Sequence, residues 1–218
     1  MRPIVRDFVA AVARELPLGE PIVEFGAFQV PGQEEIADLR PLFPGLEYVG
    51  VDMRPGRGVD RLLDLHDITL PDGYAAVALC LETLEHVERP QRAVEEICRV
   101  LRPGGWAAFS STMCFPIHEH PGDYWRFTPG GLRSLLRPFP NVWVGWAGRD
   151  DFPHTVIGLG FKGPAPDLSG LLRWYQPWRR RPDVAGVRRW ERWANAWLPP
   201  ALWQTAVRVA ARRRRPAG

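Results

Sequence analysis

Four acidic residues each follow a short apolar run, and their order suits the binding of a nucleoside. Glu24 precedes Gly26, and a glycine there lets the backbone turn tightly and approach a ligand. Asp52 comes 26 residues beyond Gly26, and a carboxylate at that place accepts hydrogen bonds from both hydroxyls of a ribose. Asp64 suits pairing with an adenine edge, and Glu82 ends a uniformly apolar run.

Two histidines, His118 and His120, follow the last apolar run of this series, together with Glu119 and Asp123. An imidazole ordinarily titrates near neutral pH, which makes it the natural general base for an acceptor that loses a hydroxyl proton. The alternative is that these side chains only form hydrogen bonds within a loop around Tyr124. The pattern leaves both interpretations open.

The apolar runs that precede these residues have the lengths of buried strands. Strands are predicted over 21–25, 47–51, 59–63, 75–80 and 106–109, then over 142–146 and 155–161. Helices are predicted over 5–16, 33–43, 90–101 and, with Thr128 as its cap, 129–136. This alternation predicts an α/β fold with a Rossmann-like, doubly wound, mostly parallel seven-stranded sheet whose closing pair is antiparallel. Ligands bind such sheets beyond the carboxyl ends of the strands.

The motifs VEFGA, YVGVDM, DLHDITLPDG and LCLETLEHVERPQRAVEEICRVLRPGG follow one another along the chain. In that order they resemble the motif series of class I S-adenosylmethionine-dependent methyltransferases, over residues 20–162. The later HEHPGDYWRFTPGGLRSLL resembles a segment common in methyltransferases of glycan and natural-product pathways. The resemblance implies S-adenosyl-L-methionine as the methyl donor and a small-molecule, saccharide or lipid-linked glycan hydroxyl as the acceptor.

The resemblance also implies roles for residues at the first two strand ends. Glu24, Gly26 and Ala27 would line the methionine and ribose side of the cofactor. Asp52 would hold the ribose hydroxyls, and Met53 would lie against the adenine.

At the next two strand ends the resemblance implies a further set of contacts. Asp64 and Leu65 would meet the adenine edge. Leu81 and Glu82 would lie beneath the sulfonium.

The first loop departs from the family pattern. Phe28 and Val30 stand where further glycines are usual, so the contacts beyond Ala27 are open. A dinucleotide enzyme needs those glycines for its pyrophosphate, whereas S-adenosylmethionine has no phosphate. One alternative is an NAD-type oxidoreductase or epimerase. It is disfavoured because the sequence has no Tyr-x-x-x-Lys pair, Lys162 being the only lysine. The other alternative is a non-catalytic adaptor that works through a basic tail.

Glu82, Glu85 and His86 place three metal-ligand types within one turn, and His118 could supply a fourth. Similar patterns hold a divalent ion in ubiquinone-pathway O-methyltransferases and in small-RNA 2′-O-methyltransferases. In many metal-free relatives, however, the residue at Glu82 faces the cofactor and the one at His86 packs beside the loop. Whether the site binds a metal is therefore left open.

The overall charge of +3 conceals a division of the chain. Residues 171–218 hold 12 arginines against two acids, a balance of +10, whereas the first 170 residues carry −7. Six of the ten tryptophans also lie in this tail. A basic helix with tryptophans on one face is typical of interfacial membrane binders. It could instead pack on the acidic body, form a homodimer or, less favourably, bind nucleic acid.

These features predict three parts: an N-terminal helix over 1–19, a methyltransferase domain over 20–162 and a helical extension over 163–218. Residues 171–215 are the candidate for peripheral contact with the inner membrane face. The charged start of the chain does not resemble a signal peptide, and no run of 18 apolar residues occurs. The three cysteines lack a metal-type or disulfide pattern, which favours the cytoplasm.

Overall fold

A computed structural model describes residues 1–118 and 122–181 of the chain. The strands are β1 (Ile22–Phe25), β2 (Tyr48–Asp52), β3 (Arg61–Leu62), β4 (Ala75–Leu81), β5 (Leu101–Thr112), β6 (Asn141–Gly148) and β7 (Pro153–Phe161). The α-helices are α1 (Pro3–Glu15), α2 (Glu34–Ala37), α3 (Pro90–Val100), α4 (Pro129–Leu135) and α5 (Ser169–Trp178). Two single 3₁₀ turns cover Arg40–Leu42 and Leu84–His86.

The seven strands form one sheet in the order β3-β2-β1-β4-β5-β7-β6. All pairs from β3 to β5 are parallel, and β7 pairs antiparallel with both β5 and β6. The predicted doubly wound sheet with an antiparallel closing pair is thus confirmed. The chain reverses its direction of winding between β1 and β4, so the crevice that can receive a ligand opens at the carboxyl ends of these two strands.

Each face of the sheet is covered by its own hydrophobic core. Alternate residues of β1 point to opposite sides, so that Ile22 packs with α1 and α5 while Val23 and Phe25 pack with α3 and α4. β4 is buried along its whole length because both of its faces are covered. The two cores therefore hold β1 and β4 rigidly beside each other, with their ends aligned.

Two predicted helices differ from the observed ones. The segment over 33–43 divides into α2 and a 3₁₀ turn, because Pro41 lacks an amide hydrogen and disfavours a helical residue before it. The Arg6 guanidinium accordingly takes the carbonyl oxygens of Ile36 and Asp38. α3 ends at Val100, within one residue of the prediction. β5 begins at once, at Leu101, and is longer at both ends than the predicted strand over 106–109. β3 is shorter than predicted.

Helix α5 lies against α1 and the sheet, although the sequence placed it beyond the body. The Trp178 indole is buried and donates a hydrogen bond to the Ile4 carbonyl at 3.1 Å. The Tyr175 hydroxyl accepts from the Trp146 amide on β6 at 2.9 Å. These contacts put residues 169–178 in one compact unit with α1 and the sheet. The rest of the predicted tail, 182–218, lies outside the described residues.

The described helices include none with the length and apolar content needed to cross a membrane. Cys80 and Cys98 form no disulfide. Cys80 and Cys98 are buried packing residues, as expected from their positions in β4 and α3.

Candidate active site

The end of β1 carries the first predicted cofactor residues. The Glu24 side chain is buried and accepts a hydrogen bond of 2.7 Å from the Tyr48 hydroxyl on β2. Burial raises the pKa of Glu24 to about 7, against a lowering by the Tyr48 hydrogen bond. Gly26 has a φ of +87°, and a Cβ there would lie 2.2 Å from the Thr83 Oγ1. A glycine is needed at this position for both reasons.

The loop after Gly26 takes a course of its own. Ala27 is buried, so only its backbone could line a ligand. The Phe28 ring, in place of a second glycine, lies beneath the Arg54 guanidinium at 4.4 Å and packs so closely on Gly56 that a Cβ there would be 2.3 Å away. The loop after β1 is therefore held against the loop after β2 by an aromatic side chain.

Asp52 ends β2 with its side chain buried. Its Oδ2 accepts the Phe28 amide at 3.2 Å and its Oδ1 accepts the Arg54 amide at 3.0 Å. Oδ1 also accepts the Arg54 Nε at 3.4 Å, whereas Oδ2 has a second lone pair with which it can accept a hydrogen bond from a ligand hydroxyl. The two amides fix the orientation of the carboxylate before a ligand arrives.

The predicted adenine contacts lie on the neighbouring loops. Met53 is 61% exposed and offers apolar surface beside Asp52. Asp64 is exposed, and its Oδ1 accepts the amide and faces the ring Nδ1 of His66, both at 2.8 Å. These hydrogen bonds lower the pKa of Asp64. Leu65 is half-buried and packs on the core.

The end of β4 has an unusual backbone. Glu82 has a φ of +49° and is the one non-glycine residue with positive φ in the part of the chain that the structure describes. Its amide donates to the Ser110 carbonyl at 2.9 Å, next to the buried Leu81. Its carboxylate accepts the Arg2 amide at 2.8 Å and the Arg2 Nε at 2.5 Å. A left-handed residue that is not glycine costs free energy and is commonest at functional sites.

One turn further, Glu85 is completely buried. Its Oε2 accepts a hydrogen bond of 2.9 Å from the Ser111 hydroxyl on β5, and its backbone carbonyl accepts the Tyr124 amide at 2.8 Å. Burial, and next the charge of Glu82, raise the pKa of Glu85 to about 8. Its other oxygen, Oε1, has no hydrogen-bond partner among the described residues.

His86 and His118 meet Glu85 in one cluster. Their rings are 4.8 Å apart, edge to face. One ligand atom from each of Glu85, His86 and His118 lies within 4.8 Å of the others. This is the set that could hold a metal ion, and it omits Glu82, which pairs with Arg2 instead.

His118 is oriented by the loop around it. Its Nδ1 faces the Pro116 carbonyl at 3.1 Å and the Asp123 Oδ2 at 3.3 Å. Arg126 donates to both carboxylate oxygens of Asp123, and these hydrogen bonds lower the pKa of that acid strongly. Asp123 is therefore ionised and fixed in place. His120, the other predicted base, lies outside the described residues.

Sequence reasoning missed Arg2 and Phe28. Phe28 was identified only as a missing glycine, and no pattern signalled its packing on the next loop. Arg2 meets Glu82 across 80 residues of sequence, which only the fold brings together. Thr128 was expected to cap the next helix, and it does so by accepting the Gly131 amide.

The crevice fits S-adenosylmethionine in its chemistry. Asp52 supplies a buried acceptor for ribose hydroxyls, and Met53 supplies apolar surface for a purine. Gly26 and the left-handed Glu82 bring bare backbone to the ends of β1 and β4. The imidazole of His86, in the turn after β4, meets that of His118, in the loop after β5.

Comparison with known proteins agrees with this geometry. Residues 37–109 match the family model described as a methyltransferase domain. An uncharacterized methyltransferase from Mycobacterium sp. (strain JLS) is 32% identical over 210 residues, which cover 88% of this chain and 76% of the relative.

Solved structures show the same fold. An S-adenosylmethionine-dependent methyltransferase from Archaeoglobus fulgidus aligns with a TM-score of 0.55 at 15% identity, over 72% of this chain and 94% of that one. Another from Mesorhizobium loti aligns with a TM-score of 0.50 at 19% identity, over 69% and 95%. These matches favour neither an NAD-dependent enzyme nor a non-catalytic adaptor. The chain belongs to the class I S-adenosylmethionine-dependent methyltransferases, and S-adenosylmethionine is its methyl donor.

Proposed function

We propose that this methyltransferase acts on a hydroxyl oxygen of a small-molecule acceptor, a saccharide or lipid-linked glycan in particular, with His118 as general base. The observation that supports this is the Asp123–His118 arrangement beside the cofactor crevice. Transfer from a sulfonium is an in-line displacement, so the enzyme must mainly align donor and acceptor. A base is needed in addition because a hydroxyl must lose its proton.

The geometry of His118 suits that role. Nδ1 faces two oxygens, of Pro116 and Asp123, so it carries the hydrogen and leaves the lone pair on Nε2. The ionised Asp123 stabilises the imidazolium that forms when the base takes a proton. His120 stays a second candidate base from the sequence alone.

We expect His118→Ala to lower the rate of methyl transfer by roughly 100-fold or more, while the affinity for S-adenosylmethionine stays within about twofold. The rate would be followed with methyl-labelled donor and a panel of alcohol, amine and thiol acceptors. Arg137→Ala is the control, because Arg137 is exposed and belongs to no part of the proposed site. Full activity of His118→Ala, or transfer to amines alone, would contradict the proposal.

A specific observation favours a second arrangement, in which Glu85, His86 and His118 hold a divalent ion. The buried Oε1 of Glu85 lacks a hydrogen-bond partner among the described residues, and two imidazoles adjoin it. Two nitrogens and one carboxylate oxygen suit Zn²⁺ or a similar transition ion, which would lower the pKa of an acceptor hydroxyl. Exhaustive chelation distinguishes the two: it abolishes transfer by the metal-bound site and leaves catalysis by a free imidazole intact.

We propose further that the enzyme is cytoplasmic and that residues 171–215 give it a peripheral contact with an anionic membrane surface. The support is compositional, since arginines and tryptophans together favour the interface. Leu171, Tyr175 and Trp178 are buried in the body and do not contribute. Flotation with vesicles of anionic lipid, lost when residues 182–218 are removed, would support the contact. A dimer without flotation would favour the alternative that the segment joins two copies.

A further inference from the structure

A buried ion pair joins Arg2, the residue before α1, to Glu82, the residue after β4. Arg2 precedes α1, and its amide and Nε both donate to the Glu82 carboxylate. The side chains are only 7% and 13% exposed. The Arg2 guanidinium also lies 5.5 Å from the centre of the Phe115 ring, which follows β5. Arg2 therefore spans the carboxyl ends of β4 and β5.

Stability alone does not account for this pair. Removing both charges from water costs about as much as their attraction returns. Glu82 also adopts a left-handed backbone, held by its amide hydrogen bonds to the Ser110 carbonyl and hydroxyl, at an expense to folding. Glu82 thus combines a buried charge with a left-handed backbone, and both are unfavourable for folding. Such a combination at a binding crevice indicates that the residue binds a ligand.

The known donor has a part that matches the pair. Its methionine moiety ends in an α-ammonium and an α-carboxylate, a positive and a negative group on neighbouring atoms. Guanidinium groups bind carboxylates through two parallel hydrogen bonds, and carboxylates bind ammonium groups through charge-assisted ones. Such a zwitterion can enter between a guanidinium and a carboxylate and give each a new partner of opposite charge.

We propose that Arg2 and Glu82 together receive the amino-acid end of S-adenosylmethionine, with Arg2 taking its carboxylate and Glu82 its ammonium. In the structure the Arg2 Nε donates a hydrogen bond to the Glu82 carboxylate. This inference rests on the proposed placement of Glu82 beneath the sulfonium. Arg2 is then a binding residue for the cofactor.

Other cations near the crevice are committed elsewhere. Arg54 is bonded to Asp52, at the end of the crevice proposed for the ribose. Arg126 donates to both oxygens of Asp123 and to the Pro116 carbonyl. The guanidinium of Arg2 is the one that is bonded to Glu82. We therefore assign the cofactor carboxylate to Arg2.

The test is calorimetric titration of the full chain, without acceptor, using four ligands. S-Adenosylmethionine and S-adenosylhomocysteine carry both charged groups, decarboxylated S-adenosylmethionine keeps only the amine, and methylthioadenosine lacks both. We expect Arg2→Gln to weaken the first two by roughly 10- to 100-fold and to leave the last two unchanged. Glu82→Gln should weaken all three amine-bearing ligands but not methylthioadenosine. Arg2→Lys should restore part of the affinity.

Arg14→Gln is the matched control, because Arg14 lies on the same helix in an exposed pair with Glu15. If Arg2→Gln weakened methylthioadenosine as much as S-adenosylmethionine, Arg2 would act on the fold and the proposal would be overturned. Equal affinity of the wild-type chain for those two ligands would overturn it too, whatever the variants' stability. Because no acceptor is present, these outcomes are independent of whether His118 serves as the base.

Discussion

Three carboxylates at the sheet edge already have donors from the protein itself. Tyr48 donates to Glu24, the Phe28 amide to Asp52 and Arg2 to Glu82. Such hydrogen bonds fix the carboxylates in place, so less freedom is lost when a ligand binds.

Glu24 should make the stability of the folded chain depend on pH. Its pKa is raised by burial to about 7, above that of the unfolded chain, so it favours folding while protonated. Stability from this group is complete at low pH and falls as the pH rises through about 7. Between about pH 5 and 8 the loss should be roughly 2 kcal/mol. Chemical denaturation of Glu24→Gln should show that this part of the slope has disappeared.

Glu88→Gln is the control for this measurement, because Glu88 is exposed. Its pH profile should match that of the wild type. A Glu24→Gln profile with an unchanged slope would show that the carboxyl of Glu24 is ionised throughout this range.

Gly26→Ala should cost more stability than Gly45→Ala. Both glycines have positive φ, at +87° and +77°, so both substitutions strain the backbone by about 1 kcal/mol. A Cβ at Gly26 would also collide with Thr83, whereas none at Gly45 meets an atom within 4 Å. Urea unfolding should give a difference of about 1–2 kcal/mol between the two variants. Equal losses would mean that Thr83 moves aside freely.

The acids of the site could be predicted from sequence because parallel strands bring their ends to one edge. Asp52 and Glu82 each follow an apolar run, and that order sufficed. The side chains that meet them could not be predicted in the same way. Arg2 directly precedes α1, 80 residues from Glu82 in sequence, and its contact depends on how α1 packs.

At the level of elements, the junction of α3 and β5 shows how a helix can end without a glycine turn. The Lys162 ammonium donates to the carbonyls of Cys98, Arg99 and Leu101 at 2.7, 3.1 and 2.6 Å. Carbonyls at a helix end need partners from outside the helix, and that of Arg99 also accepts the Gly73 amide at 3.2 Å. The chain can therefore pass directly from α3 into β5 at Leu101. From Pro103 and the glycines after it, a helix end and a strand that begins only later were predicted.

Lys162→Met should accordingly lower the free energy of unfolding by roughly 1–3 kcal/mol, since three carbonyl oxygens lose their donor while the apolar stem is kept. Thermal and urea unfolding would measure the loss. Arg137→Gln, at an exposed position, should change stability by less than about 0.5 kcal/mol. A loss no larger for Lys162→Met than for the control would show that water replaces the ammonium without cost.

Elements with a strong local signal agreed with the sequence. Thr128 caps α4 by accepting the Gly131 amide at 2.9 Å, and β6 and β7 pair as the two closing strands. Elements that depend on distant partners did not agree. The predicted helix over 33–43 is interrupted where Arg6 of α1 donates hydrogen bonds to the carbonyls of Ile36 and Asp38.

For the molecule as a whole, the compact body extends further along the chain than the predicted domain boundary after residue 162. Leu171, Tyr175 and Trp178 of α5 are buried in the core beneath α1. A chain that ends at residue 181 should unfold cooperatively, whereas one that ends at 168 should lose roughly 3–5 kcal/mol or more. Circular dichroism during heating compares the two. Equal stability would place α5 outside the body.

The packing of α5 on α1 also brings two distant points of the chain together. The Trp178 indole donates to Ile4, and Arg181 forms an ion pair of 2.6 Å with Asp7. A flexible linker of roughly ten residues could therefore join residue 181 to residue 1 covalently. Opening the chain at the exposed Pro44–Gly45 turn would then give a circular permutant. In such a molecule Arg2 would no longer be near a chain terminus. The chain would continue on both sides of Arg2 and so hold it at the cofactor crevice from both directions.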